Sequence, residues 1–308
     1  MLNMVKKLAP LLLSFFFAFG TIAATQQGTL TFESSLGLLN GSSTELVYQN
    51  SGQKLSQLDW EIESVPTVNF SASWSASERW ILAAQLWSVL TSDGDAHMED
   101  RDWLVANQDS PSHISIHPDT KLRHAFEIDL SSTYWLVQRG YFSLGLLGGY
   151  QYNEFKWDGI GGTYSYNNGA DVGSFADIVV IDYKQQFSVW YMGLTGEYQL
   201  SSRSSLNSTI KWSPFAYAKD VDNHYLRNLR FYDDGNDFSN FLSLSLNYSF
   251  SLLPQTYIFT EYVYTKYFES RADITQVNTD TGATSFSPNA GGLDNDHSII
   301  SIGLKYMF

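Results

Sequence analysis

Phe241-Leu242-Ser243-Leu244-Ser245-Leu246-Asn247-Tyr248-Ser249-Phe250-Ser251-Leu252 alternates without a break. Leu242, Leu244, Leu246, Tyr248, Phe250 and Leu252 fall on one side of an extended chain. Ser243, Ser245, Asn247, Ser249 and Ser251 fall on the other. A repeat of two is the signature of a strand, because a helix repeats every 3.6 residues. A large apolar face suits lipid, and a small polar face suits a wet barrel interior. A soluble sandwich shows the same alternation with the directions reversed, so the ends of the chain must decide.

At the C-terminus Ile300, Ile302, Leu304, Tyr306 and the terminal Phe308 again occupy every second position. A last strand ending on an aromatic residue resembles the C-terminal signal of bacterial outer-membrane proteins. At the N-terminus Lys6 and Lys7 precede a mostly apolar run, Leu8 to Phe19, and the small residues of Thr21-Ile22-Ala23-Ala24. That order predicts a secretory signal peptide over 1–24. The apolar run is too short for a membrane anchor, and beyond it no run approaches the roughly 18 apolar residues of a helical span. Residues 25–308 then form one barrel domain. The chain has no cysteine, so disulfides do not staple it.

The pattern predicts ten antiparallel transmembrane strands, near 29–40, 55–74, 80–92, 122–137, 141–157, 179–200, 205–219, 238–252, 256–274 and 297–308. Short connections (75–79, 138–140, 201–204, 253–255) alternate with long ones (41–54, 93–121, 158–178, 220–237, 275–296). Outer-membrane barrels join strands by short periplasmic turns and long extracellular loops. Odd-numbered strands therefore run outward, and the loops after strands three and seven lie at the outer rim.

Those two loops carry the acidic clusters His97-Met98-Glu99-Asp100-Arg101-Asp102-Trp103 and Asp220-Val221-Asp222-Asn223-His224. Asp222 and His224 share a face of an extended chain, where a carboxylate can orient an imidazole as a general base. Asp100 and Asp102 also share a face. Two close carboxylates repel, so one holds its proton more tightly, and such a pair can position a water. Either pair alone is more simply read as solvated surface charge. Serines abound but none sits in a G-x-S-x-G elbow, so water is the natural nucleophile. The precursor carries a net charge of −14. Loss of Lys6 and Lys7 with the signal leaves 16 basic against 32 acidic residues, or −16. That balance disfavours nucleic acid and suits a cationic partner.

The chain resembles the omptins, ten-stranded outer-membrane proteases of Gram-negative bacteria. The resemblance spans the mature chain. It rests on Leu55-Ser56-Gln57-Leu58-Asp59-Trp60, Met98 to Trp103, His117-Pro118-Asp119-Thr120, Gly149-Tyr150-Gln151, Gly193-Leu194-Thr195-Gly196 and Asp222-Asn223-His224. It implies an aspartyl-type endopeptidase that cuts at Arg or Lys. Asp222 and His224 would activate water, with Asp100 and Asp102 facing them. Glu45 and Asp220 would line the pocket for the basic side chain before the cut. It further implies a monomer with no metal or cofactor, and lipopolysaccharide as an activating lipid. This chain departs from the pattern at His113, where some omptins carry an acid. It departs again at Glu154 and Gln186, where basic residues would meet that lipid, so no lipid-binding residue is assigned.

Simpler roles are expected elsewhere. Glu127, Asp129, Lys211 and Glu261 should pair inside the barrel. Trp60, Trp80, Trp87, Trp157 and Trp190 are candidates for the interfacial girdles. His97, His113, His117, His124 and His297 lack metal-ligand spacing and read mostly as solvated loop residues, with His117 shaping its loop. Two other functions fit the same barrel. One is a catalytically silent adhesin or invasin with an acidic docking mouth. The other is a lipid-modifying enzyme, whose reactive group would lie at membrane depth.

Overall fold

The apolar–polar alternation becomes strand almost everywhere in the computed structural model, which describes residues 28–106 and 108–308. The expected signal peptide lies outside the described residues. Fifteen strands follow in order: β1 (Leu30–Tyr48), β2 (Lys54–Ser75), β3 (Trp80–Val89), β4 (Gly94–Asp102), β5 (His113–His117), β6 (Lys121–Arg139), β7 (Phe142–Ile160), β8 (Thr163–Tyr166), β9 (Asp171–Ser174), β10 (Val179–Gln199), β11 (Ser204–His224), β12 (Leu229–Gly235), β13 (Ser239–Leu253), β14 (Thr256–Asn278) and β15 (Thr284–Met307).

These make ten staves, because β3–β4, β5–β6, β7–β8, β9–β10 and β12–β13 each continue one line. β2, for example, pairs antiparallel with β3 over its lower half and with β4 over its upper half. The sheet closes where β1 pairs with β15, from Thr31 opposite Met307 to Val47 opposite Gly291. Closure removes the free edges that would leave backbone groups unsatisfied in lipid.

The expected ten-stranded barrel is therefore present, but its outer half differs from the expectation. The stretches 93–121, 220–237 and 275–296 were expected as loops. They contain β4 and β5, the end of β11 with β12, and the end of β14 with most of β15. The 23 residues of β14 extend about 75 Å at ~3.3 Å per residue, whereas a tilted crossing takes only about 10 residues. Above the lipid both faces of a strand can be polar, so the alternation fades while the hydrogen-bonded ladder continues.

Leu36, Leu38, Leu244, Leu246, Ile300, Ile302 and Leu304 stand exposed on the outer wall and form the lipid-facing band. Of the charges expected to pair inside, Lys211 and Asp129 do so, whereas Glu127 accepts from a neutral amide. Lys211 Nζ lies 2.7 Å from Asp129 Oδ2, and Asn153 donates to Glu127 at 2.8 Å.

The tryptophans need correction. Trp80 and Trp190 do stand on the outer wall, but Trp60, Trp87 and Trp157 are buried inside. Trp60 stacks on Tyr183 with ring centres 5.2 Å apart. For Trp60 the cause is a bulge in β2. Between the pairs Leu39–Val65 and Gly41–Ile62, β2 spends one residue more than β1, and Ser64 takes a φ of 51°. One extra residue exchanges the two faces. Below it Phe70 points to lipid; above it Leu58, Trp60 and Ile62 point inward and Glu61 and Glu63 outward.

Two histidines also differ from the solvated reading. His297 is buried, bonded to Asn295 at 2.8 Å and packed near Trp87 and Phe155. His117 is buried between Ser115 Oγ, at 3.0 Å, and the Gly161 carbonyl, at 2.6 Å, so it does shape its segment.

Candidate active site

Asp100 and Asp102 stand on β4, opposite Leu58 and Ser56 of β2 and opposite Ser115 and His113 of β5. Arg101 between them turns outward, where it bridges Asp59 at 2.7 Å and Glu99 at 2.5 Å. The aspartates therefore face inward without an arginine to neutralise them from their own strand.

Asp220, Asp222 and His224 reach the interior because of a second bulge. Ile210 and Trp212 of β11 point to lipid, so strict alternation would send every later even-numbered residue outward. Between Ser213 and Ala216, β11 spends one residue more than β13. Ser213 Oγ accepts the Phe215 N–H at 3.0 Å and holds the irregularity. Phe215 is exposed, and Ala216, Ala218, Asp220, Asp222 and His224 are all buried.

At the end of β11 a single 3-10 turn, Tyr225–Arg227, closes on Asn228 in the left-handed conformation. The turn folds Arg227 back over His224, and its guanidinium donates to Nδ1. A guanidinium can only donate, so Nδ1 is the unprotonated nitrogen. Nε2 then carries the hydrogen that Asp222 Oδ2 accepts. The ring also packs edge-on against Phe231, centres 5.3 Å apart. The imidazole is thus held between Asp222 on its Nε2 side and Arg227 on its Nδ1 side.

The four residues of the two pairs meet at one gap. A cleft of about 480 Å³ is lined by Asp100, Asp102, Asp222 and His224 together with Glu45, Arg227 and Phe231. A second hollow of about 200 Å³ continues from it past His113, His117 and Tyr166.

Glu45 and Asp220 also come together, and a residue the sequence did not single out joins them. Asp233 of β12 lies directly opposite Asp220 in the ladder. One oxygen from each of Glu45, Asp220 and Asp233 lies within 4.8 Å of the others, and all three side chains are buried. Among the described residues this is the carboxylate cluster with the geometry to hold a cation. Burial raises all three pKa values. Asp222 then adds most to Glu45, and Asp233 adds most to Asp220. Asp233 itself is pushed up to about 8 by burial and then by Asp222. Tyr183 and the Asp233 backbone offset part of the effect at Asp220. Asp100 is raised by burial and then by Asp102, and Arg227 offsets part of that.

Arg227 and Asp233 were missed because their partners are not near them in the pattern. Arg227 reaches His224 only through a tight turn. Asp233 meets Asp220 only through ladder register, which the twelve intervening residues do not reveal. The weak available signal was a second acidic pair, Asp233-Asp234, in the same rim segment. His113 lies on the wall of the second hollow, with its ring 5.1 Å from Tyr166. Glu154 and Gln186 bond to each other, and Glu154 also meets His124 at 2.7 Å and Tyr152 at 2.8 Å.

Comparison with known proteins gives consistent results. The model of the omptin family matches residues 26–308. A plasminogen activator of Yersinia pestis is 36% identical over 283 residues, covering 91% of this chain and 90% of the relative. Protease 7 of Escherichia coli O157:H7 is 31% identical over 308 residues, covering 97% and 96%. The crystal structure of the outer membrane protease OmpT from Escherichia coli aligns with a TM-score of 0.87 at 29% identity, covering 91% of this chain and 97% of that one.

Proposed function

The chain belongs to the omptin family and is an outer-membrane protease, and from that premise we propose that it cuts peptides at basic residues by direct attack of water in the cleft over the barrel. The observation that carries this reading is the shared gap: Asp100, Asp102, Asp222, His224 and Glu45 line one cleft. His224 Nδ1 takes the proton of the water once Arg227 has moved aside. Asp222 holds the ring through Nε2–H and stabilises the imidazolium that forms. Asp100 and Asp102 face this dyad. With Asp100 raised by burial and by Asp102, a shared proton lets the pair donate to the developing oxyanion while still orienting the water.

Glu45 and Asp220 would hold the basic side chain before the scissile bond. An Arg or Lys there brings the positive charge that buried carboxylates lack. His113, on the adjoining hollow, is neutral or cationic but never anionic, so the site after the cut makes no demand for a second base. No metal or organic cofactor enters this scheme. The partners are cationic peptides or proteins, met by a monomer whose cleft faces the exterior. Lipopolysaccharide is retained as an activating lipid without assigned contacts, since Glu154 and Gln186 satisfy one another. Export through a signal peptide over 1–24 completes the reading.

The test is cleavage of a short peptide with an Arg-Lys centre by the protein in outer-membrane vesicles, with and without added lipopolysaccharide. Asp222→Asn and His224→Ala should insert normally yet lose at least the roughly 10²- to 10⁴-fold that a general base contributes. Unchanged rates in either variant would remove the dyad from the mechanism. Cleavage products ending on acidic or apolar residues would remove the basic preference.

A further inference from the structure

Asp233 has no place in that mechanism, yet it is a buried acid set against another acid. It lies directly across the ladder from Asp220, and like charges facing each other across strands destabilise a sheet. It is 1% exposed, and neither of its carboxylate oxygens meets a hydrogen-bond donor. A buried carboxylate without a donor is destabilising unless something else compensates. The surrounding backbone is shaped to admit it. A side chain on Gly291 of β15 would collide with Asp233 Oδ2 and crowd Ala272 of β14.

The three acids together present a specific deficit. Glu45 Oε2 and both oxygens of Asp233 are buried acceptors without a donor, and at Asp220 Tyr183 and the Asp233 backbone compensate only in part. One oxygen of each acid lies within 4.8 Å of the others, so the three converge with more acceptors than a single ammonium can fill. A guanidinium carries five N–H donors in a planar fork; an ammonium carries three.

We propose that Asp233 is a specificity-determining residue, the third carboxylate of the pocket for the basic side chain before the cut, and that it biases that pocket toward arginine over lysine. The inference deepens the reading of Glu45 and Asp220 and rests on it. An entering guanidinium spans the three carboxylates, with Glu45 on the cleft wall meeting it first and Asp220 and Asp233 behind. A lysine reaches the same place and neutralises charge, but leaves acceptors unmet.

The experiment compares two peptides, identical but for Arg or Lys before the scissile bond, on the full-length protein in outer-membrane vesicles. Asp233→Asn keeps the shape and removes the charge. It should lower kcat/KM for the Arg peptide tenfold or more, chiefly through KM. The Lys peptide should change far less, so the Arg-to-Lys ratio falls. Glu45→Gln, measured alongside, reports on the pocket itself. If Glu45→Gln weakens both peptides and Asp233→Asn leaves the ratio untouched, the proposal fails and the pocket stands. If Glu45→Gln also changes nothing, or the wild type does not cut after basic residues, the underlying reading fails first.

Should Asp233→Asn not insert, the wild type decides. Butylguanidinium should compete at least tenfold better than butylammonium, and equal inhibition overturns the proposal. Loss of wild-type cleavage on chelation, restored by calcium, would also overturn it, because the three acids would then be holding a divalent cation.

Discussion

At the scale of single residues, Arg227 covers His224 by donating to Nδ1, the nitrogen that the proposed mechanism uses as its base. On that proposal, substrate binding displaces one charge-assisted contact before chemistry. Arg227→Ala should raise kcat/KM for a short basic peptide by roughly fivefold, the equivalent of about 1 kcal/mol for one net hydrogen bond. Steady-state kinetics in vesicles would check this, and a fall in kcat would show that Arg227 helps the reaction instead. That Asp222 and His224 share one face and pair was legible from their spacing, since residues two apart on extended chain point the same way. Arg227 was not, because its approach depends on the turn closed by Asn228, whose left-handed conformation no repeat announces.

At the scale of elements, two extra residues decide where the functional side chains point. Strand existence was legible in runs such as Phe241 to Leu252, which became β13 with Leu244 and Leu246 on the outside. Orientation beyond a bulge was not, because alternation restarts in the opposite phase. Trp60 on β2 and Asp222 on β11 are both reversed in this way relative to the lipid-facing residues below them. In β11 the extra residue lies between Ser213 and Ala216, where Pro214 supplies no N–H to the ladder. Deleting Pro214 should regularise the ladder and turn Asp220, Asp222 and His224 toward the outside. The variant is expected to insert as a barrel, seen by its altered migration before and after heating, yet to lose cleavage entirely. Retained activity would mean that the phase is set elsewhere.

At the scale of the whole molecule, acidity has a thermodynamic cost that the strands above the membrane must offset. Glu45, Asp100, Asp220 and Asp233 all have pKa values raised by burial, Asp233 to about 8. The folded state therefore holds protons that the unfolded chain has released, and stability falls as pH rises. His117, lowered from 6.5 by burial, acts in the opposite sense. The folded state keeps it neutral while the unfolded chain protonates it below about 6.5, so the carboxyl effect is cleanest between pH 6.5 and about 8. Across that window the urea midpoint of the unliganded barrel in lipid vesicles should drop, and Asp233→Asn should flatten the slope without abolishing it. A midpoint that rises with pH would contradict the burial of these acids. The excess of acid is legible in the charge balance, but its concentration into three carboxylates within 4.8 Å of one another emerges only from closure of the sheet.

That closure has a further consequence. Glu45 belongs to the first strand and stands opposite Leu293 on the last one, so the pocket has no wall until the seam is zipped. Asp220 and Asp233 sit on neighbouring strands and can meet beforehand, but Glu45 joins them only across the closed ring. The three-acid cluster is thus a property of the finished barrel, completed when its two ends meet.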